Sequence, residues 1–329
     1  MKKIIILFAC LLLTGCYNYK EVSDLAFVSS LALDYQDNNF NIILEIEENQ
    51  KDNKFSSYIL EGTGKTIEAA IQNASLSFNK DLYFINLNIL LISTEAANKK
   101  LSNILDYVTR DNNFSFDFNI AICDKPKEAI ENIIKQEEIF GKYISNLFKN
   151  TDSNIINIKL DNLLNNYLNK DYDIILPIIN IKENTIIIDK AAIFKDNIII
   201  DTLNKESLAL YNILLNNHRD YYLEIDNNIV FKTSYYQTTI CFKNNTLYII
   251  PTLTGTFLES VSLDENKIID EVNINFNKKL ESFINNLISL QSDPIGLKRY
   301  TKNKKAIKYR ISTNIILENK SLIYKGVSS

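Results

Sequence analysis

The chain has 329 residues, 46% of them apolar, with only 7 Gly and 4 Pro, and its 36 basic and 40 acidic side chains leave a net charge of −4. That balance excludes a disordered stalk, which could not bury a core, and offers no basic patch for a nucleic-acid partner. Four Cys and one His are too few for a disulfide scaffold or a zinc site of the Cys/His kind, so neither a metal nor a bound cofactor is expected.

Lys2 and Lys3 precede an apolar run from Ile4 to Leu13. This run is about half of the ~20 residues a spanning helix needs and fits a signal peptide. Leu13-Thr14-Gly15-Cys16 resembles the bacterial lipobox, in which the cysteine sulfur is diacylated and the chain is cut before it. The expectation is therefore removal of residues 1–15 between Gly15 and Cys16, with a diacylglycerol lipid carrying palmitate-type chains on Cys16. Two acyl chains anchor stably where one is marginal, which places the protein on the extracytoplasmic face of a membrane. The bland alternative is an ordinary secretory signal with an incidental cysteine. Cys123 and Cys241 are expected as free buried thiols, although that compartment permits a bridge.

The elements follow in chain order. Leu25–Leu33 reads as a strand and Asp37-Asn38-Asn39 as a turn. In Ile42–Glu48, Leu44 and Ile46 alternate with Glu45 and Glu47, predicting one buried and one wet face with solvated carboxylates. Ser57–Glu61 is a third strand, and Thr66–Phe78 is a helix with Ile67, Ala70, Ile71, Ala74 and Phe78 on one side. Leu87–Ile92 is an apolar central strand, Thr94–Val108 a helix, and Phe114–Cys123 alternates again. Residues 125–168 are mainly helical, with a break near Asn150-Thr151-Asp152.

Strands return around Pro177, and a second unit opens near Asp189 with two strands joined by Lys195-Asp196-Asn197. A helix over Lys205–Leu215 and long strands over Asn228–Phe242 and Thr246–Leu258 come next. Ser262–Glu265 has the spacing of a capping box before the longest helix, whose stripe is Ile269, Val272, Phe276, Leu280, Phe283, Leu287 and Leu290. That helix stops before Asp293-Pro294. Strands at Ile307–Ile316 and Ser321–Tyr324 close the chain. Irregular alternation predicts a multi-domain α+β fold with largely antiparallel or mixed sheets packed with helices. The division is 16–188 and 189–329, the first part having room for two subdomains meeting near 125–150.

Chemistry-bearing patterns are few. Gly62-Thr63-Gly64-Lys65-Thr66 ends like a phosphate-binding loop, but Ile59 stands where the first glycine is required, so a glycine turn before a helix capped by Thr66 is expected. His218 lies in a polar loop, and the chain has no Gly-x-Ser-x-Gly elbow; it reads as a surface histidine. No catalytic residue is assigned. The apolar stripe of the long helix is expected to pack on its own sheet.

Taken together, the lipobox, "LAFVSSLALD" (Leu25–Asp34), "EGTGKTIEAAIQNASL" (Glu61–Leu76), "LYFINLNILLIS" (Leu82–Ser93) and "ILDYVTRDNNF" (Ile104–Phe114) resemble the Ger(x)C family. "LPIINI" (Leu176–Ile181), "AAIFKDNIIIDTLNKESLALYNIL" (Ala191–Leu214) and "LQSDPIGLKRY" (Leu290–Tyr300) continue the resemblance in order. Two departures are Ile85-Asn86, where relatives often carry Gly-His, and Lys298 after Leu297, where a glycine is common. These proteins are the lipoprotein C subunits of spore nutrient-germinant receptors. The resemblance implies a non-enzymatic subunit on the outer face of the spore inner membrane, acting with integral membrane A and B subunits, the small-molecule germinant being sensed by the complex. The competing reading is a solute-binding lipoprotein that delivers a ligand to a transporter. A surface hydrolase is the third, and no nucleophile motif or metal cluster in the sequence speaks for it.

Overall fold

The computed structural model describes residues 22–49, 55–136, 138–150, 155–168, 172–225, 229–259, 265–301 and 308–318. Among these are seven α-helices and two sheets, one of nine strands and one of five. The fold is α+β.

The large sheet starts with a meander of β1 (Leu25–Gln36), β2 (Asn39–Asn49) and β3 (Phe55–Gly64). β5 (Ile89–Ile92) joins β1 in parallel, β6 (Asn119–Ile122) joins β5 and β7 (Ile175–Lys182) joins β6, also in parallel. A second meander, β7, β8 (Thr185–Lys195) and β9 (Ile198–Leu203), ends the sheet. The short β4 (Asp81–Tyr83) pairs in parallel with the first residues of β1. Asp37-Asn38, Glu183-Asn184 and Asp196-Asn197 all have positive φ at both positions, the conformation of two-residue hairpin turns and one that Asn and Asp tolerate.

Helices cover this sheet on both faces. On one face α1 (Ile67–Ser75), α2 (Thr94–Arg110) and α5 (Leu160–Leu168) pack on Leu31, Leu33, Leu44, Leu90 and Ile120. On the other, α3 (Pro126–Ile134) and α4 (Phe140–Lys149) pack on Ala32, Ile89, Leu91 and Ala121. Residues 125–150 are thus the cover of the sheet's second face. The Thr66 hydroxyl accepts from Ala69 N at 3.1 Å and caps α1 as expected. Gly62 and Gly64 are the end of β3 rather than a turn, and α1 lies directly on them. A Cβ at Gly62 would come within 2.1 Å of the Ala70 carbonyl oxygen, so the glycines serve close helix–strand packing and no phosphate.

The second sheet runs β10 (Tyr222–Ile225), β11 (Ile229–Lys243), β12 (Thr246–Glu259) and β13 (Lys308–Ile311), with β14 (Asn314–Leu317) paired further along β12. The single strand expected over Ile307–Ile316 is therefore two strands parted at Ser312-Thr313. α6 (Lys205–Leu215) and the 25-residue α7 (Glu265–Ser289) pack on this sheet. α7 buries Ile268, Val272, Phe276, Leu280, Phe283, Ile284 and Leu287; Ile268 takes the inward place expected of Ile269. Residue 188 lies within β8, which hydrogen-bonds into the large sheet, while Ile175, Ala191, Ile193 and Leu203 turn their side chains into the core of the second half. At this seam the backbone belongs to one half and the side chains to the other. The expected capping box at Ser262 and the strand at Ser321–Tyr324 lie outside the described residues.

Candidate functional site

Buried polar contacts among the described residues gather at the two ends of α4, one end held from within the first half and the other from the second. The N-terminal end of α4 carries unpaired amides, as every helix does, and its own N-cap residue, Ile139, supplies no side-chain acceptor. The acceptor comes from β2. Glu45 is fully buried, and its Oε1 and Oε2 receive Phe140 N at 2.6 Å and Gly141 N at 3.0 Å. Ser57 Oγ at 2.8 Å and Ser30 Oγ at 3.1 Å complete the shell. This overturns the solvated wet face expected for β2, because α4 lies on that face and buries the carboxyl. Glu47, two residues on, pairs with Lys142 of α4 at 2.6 Å.

α4 approaches this closely because β1 bulges between Val28 and Ser30 and Gly141 meets the bulge. A Cβ there would lie 2.4 Å from the Ser29 carbonyl oxygen, so only glycine fits. Burial pushes the Glu45 carboxyl above its ordinary value, and the four donors oppose the rise.

The other end of α4 is held from the second half. Arg219 donates from Nη1 to the Asn150 carbonyl at 2.6 Å and from Nη2 to the Phe148 carbonyl at 2.9 Å. A cation there also meets the negative end of the helix dipole. Arg219 is positioned by Tyr236, whose hydroxyl accepts Arg219 N at 2.9 Å and donates to the Asn217 carbonyl. Its neighbour His218 is exposed and stacks on Tyr235, ring centroids 5.0 Å apart.

A second fastener is built from "SDPIGLKRY". Asp173 Oδ2 accepts Ser292 Oγ at 2.9 Å and Asp293 N at 2.6 Å, and Asp173 N returns a bond to the Asp293 carbonyl at 3.2 Å. Asp293 in turn receives Leu297 N at 2.8 Å and Lys298 N at 2.7 Å, fixing the turn that follows. Tyr172 packs against Gly296 and carries the Arg299 guanidinium 5.2 Å from its ring centroid. Burial raises the Asp293 carboxyl above its ordinary value.

Other candidates resolve into structure. A cleft of 490 Å³ at the N-terminus of α2 is lined by Asp34, Ser93, Thr94, Glu95 and Asp124 among others. Its polar groups already serve each other: Ser93 Oγ donates to Asp34 at 2.5 Å, and Thr94 N to Asp124 at 2.8 Å. Among the described residues, no three His, Cys, Asp or Glu side chains are grouped to hold a metal, and no helix is long and apolar enough to cross a membrane. Gly15 and Cys16 lie outside the described residues.

Cys123 and Cys241 are free. Cys123 is buried and its thiol is pushed up to about 12, chiefly by desolvation, whereas Cys241 is partly exposed. Iodoacetamide on the native protein is expected to modify Cys241 first, with Cys123 reacting only after denaturation, because the thiolate is the nucleophile. Peptide mass mapping reads the order; equal native labelling would show that α3 opens readily.

Residues 18–181 match the family described as the spore germination protein N-terminal domain, and residues 189–314 the one described as spore germination B3/GerAC like, C-terminal. Spore germination protein KC of Bacillus subtilis (strain 168) is 27% identical over 163 residues, covering 45% of this chain and only 39% of that protein. Spore germination protein GerQC of Bacillus cereus is 23% identical over 320 residues, covering 90% of this chain and 88% of the relative. The crystal structure of the GerBC protein superposes with a TM-score of 0.51 at 11% identity, over 88% of this chain and 97% of that one, a likeness of fold. With both halves matched in order, the chain belongs to the GerAC-like family of spore germination proteins, the C subunits of germinant receptors.

Proposed function

We propose that this chain is the lipid-anchored, non-enzymatic C subunit of a spore germinant receptor, held by diacylated Cys16 on the outer face of the spore inner membrane. There it works beside integral membrane A and B subunits, and the complex as a whole senses the small-molecule nutrient. The observation that carries this reading is the pairing of both family matches, 18–181 and 189–314, with Leu13-Thr14-Gly15-Cys16 immediately upstream. Anchoring confines the subunit to the membrane plane and raises its effective concentration near its partners without any new contact. The hydrogen bonds from Arg219 to Phe148 and Asn150 and from Ser292 and Asp293 to Asp173 hold the two halves to each other, which supports a structural role.

Cys16→Ala is expected to leave an uncleaved or unlipidated form that separates from spore membranes and lowers nutrient-triggered germination. Intact mass of the wild-type mature chain should carry diacylglycerol at its N-terminus. A mass without lipid sinks the anchor; wild-type germination by a strain lacking the gene, in every receptor background, sinks the subunit role.

A further inference from the structure

Both ends of the large sheet carry polar connections, but its exposed large hydrophobic side chains are not shared evenly between them. Because β1, β5, β6 and β7 run parallel, their starts share one end of the sheet. The opposite end carries Asp37-Asn38, Lys65-Thr66, Ser93-Thr94, Asp124-Lys125 and Glu183-Asn184, all polar. Among the described residues through β9, the exposed large hydrophobic side chains are Leu76 (84% exposed), Ile85 (43%), Phe116 (50%), Leu168 (77%), Ile198 (54%) and Ile200 (36%). The first four lie toward the starting end, and the last two lie on the edge strand β9.

Hydrogen bonds fix each placement. Ile85 follows β4, which pairs with Leu25–Phe27 at the opening of β1. Phe116 precedes β6, whose Asn119 N donates to Asn88 O at 3.0 Å, while Asn88 N donates to Ser29 O at 2.9 Å. Leu76 ends α1, beside a 430 Å³ cleft whose walls include Ser75, Leu82 and Asn113 and so join α1 to β4 and the end of α2. Leu168 ends α5, where the neighbouring Tyr167 hydroxyl accepts Asn197 Nδ2 at 3.5 Å from the β8–β9 turn.

The tether leaves from this same end. Eight residues lie between Cys16 and Leu25, where β1 begins, a reach of at most about 30 Å. We infer that the part of this end left free by the second half, which takes the start of β7 through Asp173, is a bilayer-seated face, with Leu76, Ile85, Phe116 and Leu168 inserted among the headgroups of the membrane that holds Cys16. The inference rests on the lipid-anchor reading above. It gives the subunit a fixed orientation, since an acyl anchor alone leaves a protein free to tumble on its linker, whereas several apolar side chains on separate loops define a plane. Lys80 and Lys159 at this end are accompanied by Asp81, Asp111 and Asp117, a balance that gives an anionic bilayer no net attraction, so the contact is apolar in origin and salt does not weaken it.

The chain contains no tryptophan, which makes the test direct. Full-length acylated protein carrying Phe116→Trp, Ile85→Trp or, at the far end of β1, Gln36→Trp is reconstituted on phosphatidylethanolamine–phosphatidylglycerol vesicles with brominated acyl chains. Tryptophan at 116 and 85 is expected to shift to the blue and lose at least half its emission to bromine, unchanged in 0.5 M salt, while tryptophan at 36 is unaffected. Equal emission at all three positions on floating vesicles overturns the seated face and leaves the anchor intact. Failure to float removes the anchor and the face with it. Protection at 116 that appears only in spore membranes, never on pure lipid, assigns the patch to a protein partner and also overturns the proposal.

Discussion

Glu45→Ala is expected to cost about 3–5 kcal/mol of stability, because several buried donors lose their shared acceptor at once. The arithmetic comes from what is left behind. Phe140 N, Gly141 N, Ser30 Oγ and Ser57 Oγ all converge on this carboxyl, and each buried donor without an acceptor costs about 1–3 kcal/mol. Some donors recover water, which keeps the total below their sum. The urea midpoint reads the loss; a change under about 1 kcal/mol would mean that α4 finds another cap. The pH dependence has a definite sign. The folded value of Glu45 is raised above its ordinary 4.5, so its titration stabilises the fold fully below that pH and the contribution is withdrawn as pH rises through the folded value. Glu45→Gln cannot titrate, so its penalty against wild type is expected to be largest in acid and to shrink toward neutrality. A penalty that grows with pH would show that the four donors outweigh desolvation.

Asp293→Ala is the second large effect, expected at about 2–4 kcal/mol because the Leu297 and Lys298 amides lose their acceptor inside the joint. Asp293→Asn keeps one acceptor oxygen and should cost less than half as much. The signature beyond magnitude is cooperativity. With the seam weakened, the two halves should melt in separate steps, whereas wild type melts in one. A single transition displaced to lower temperature in Asp293→Ala would show that Arg219 and the shared core suffice to couple the halves.

Much of this fold was legible in the sequence where one face of an element meets solvent. α1, α2, α6 and most of the α7 stripe follow from helical spacing, and β1 and β11–β12 from their length and turns. The reading failed at Glu45 for a physical reason. Alternation reports one covered face, and it cannot distinguish water from a helix arriving 95 residues later. The buried Ser30 and Ser57 beside it were the available signal, but only strand register places them together. In the second half His218 stacks at the surface, as its polar loop predicts, while the joint is made by its neighbour Arg219, which no local pattern marks. Asp293-Pro294 is legible as a helix stop; the Asp-Pro-x-Gly turn also docks on Asp173, which is 120 residues away and beyond any local pattern.

α4 is ten residues long, about 15 Å, with a carboxyl from the large sheet at its start and a cation from the second half at its end. Neither contact uses the helix's own side chains; both grip its backbone. In engineering terms α4 is a pinned strut, whose two pins belong to different bodies. The backbone of α4 therefore forms one continuous connection from Arg219 of the second half, through Phe148 and Asn150, to the bulge at Ser29 in β1.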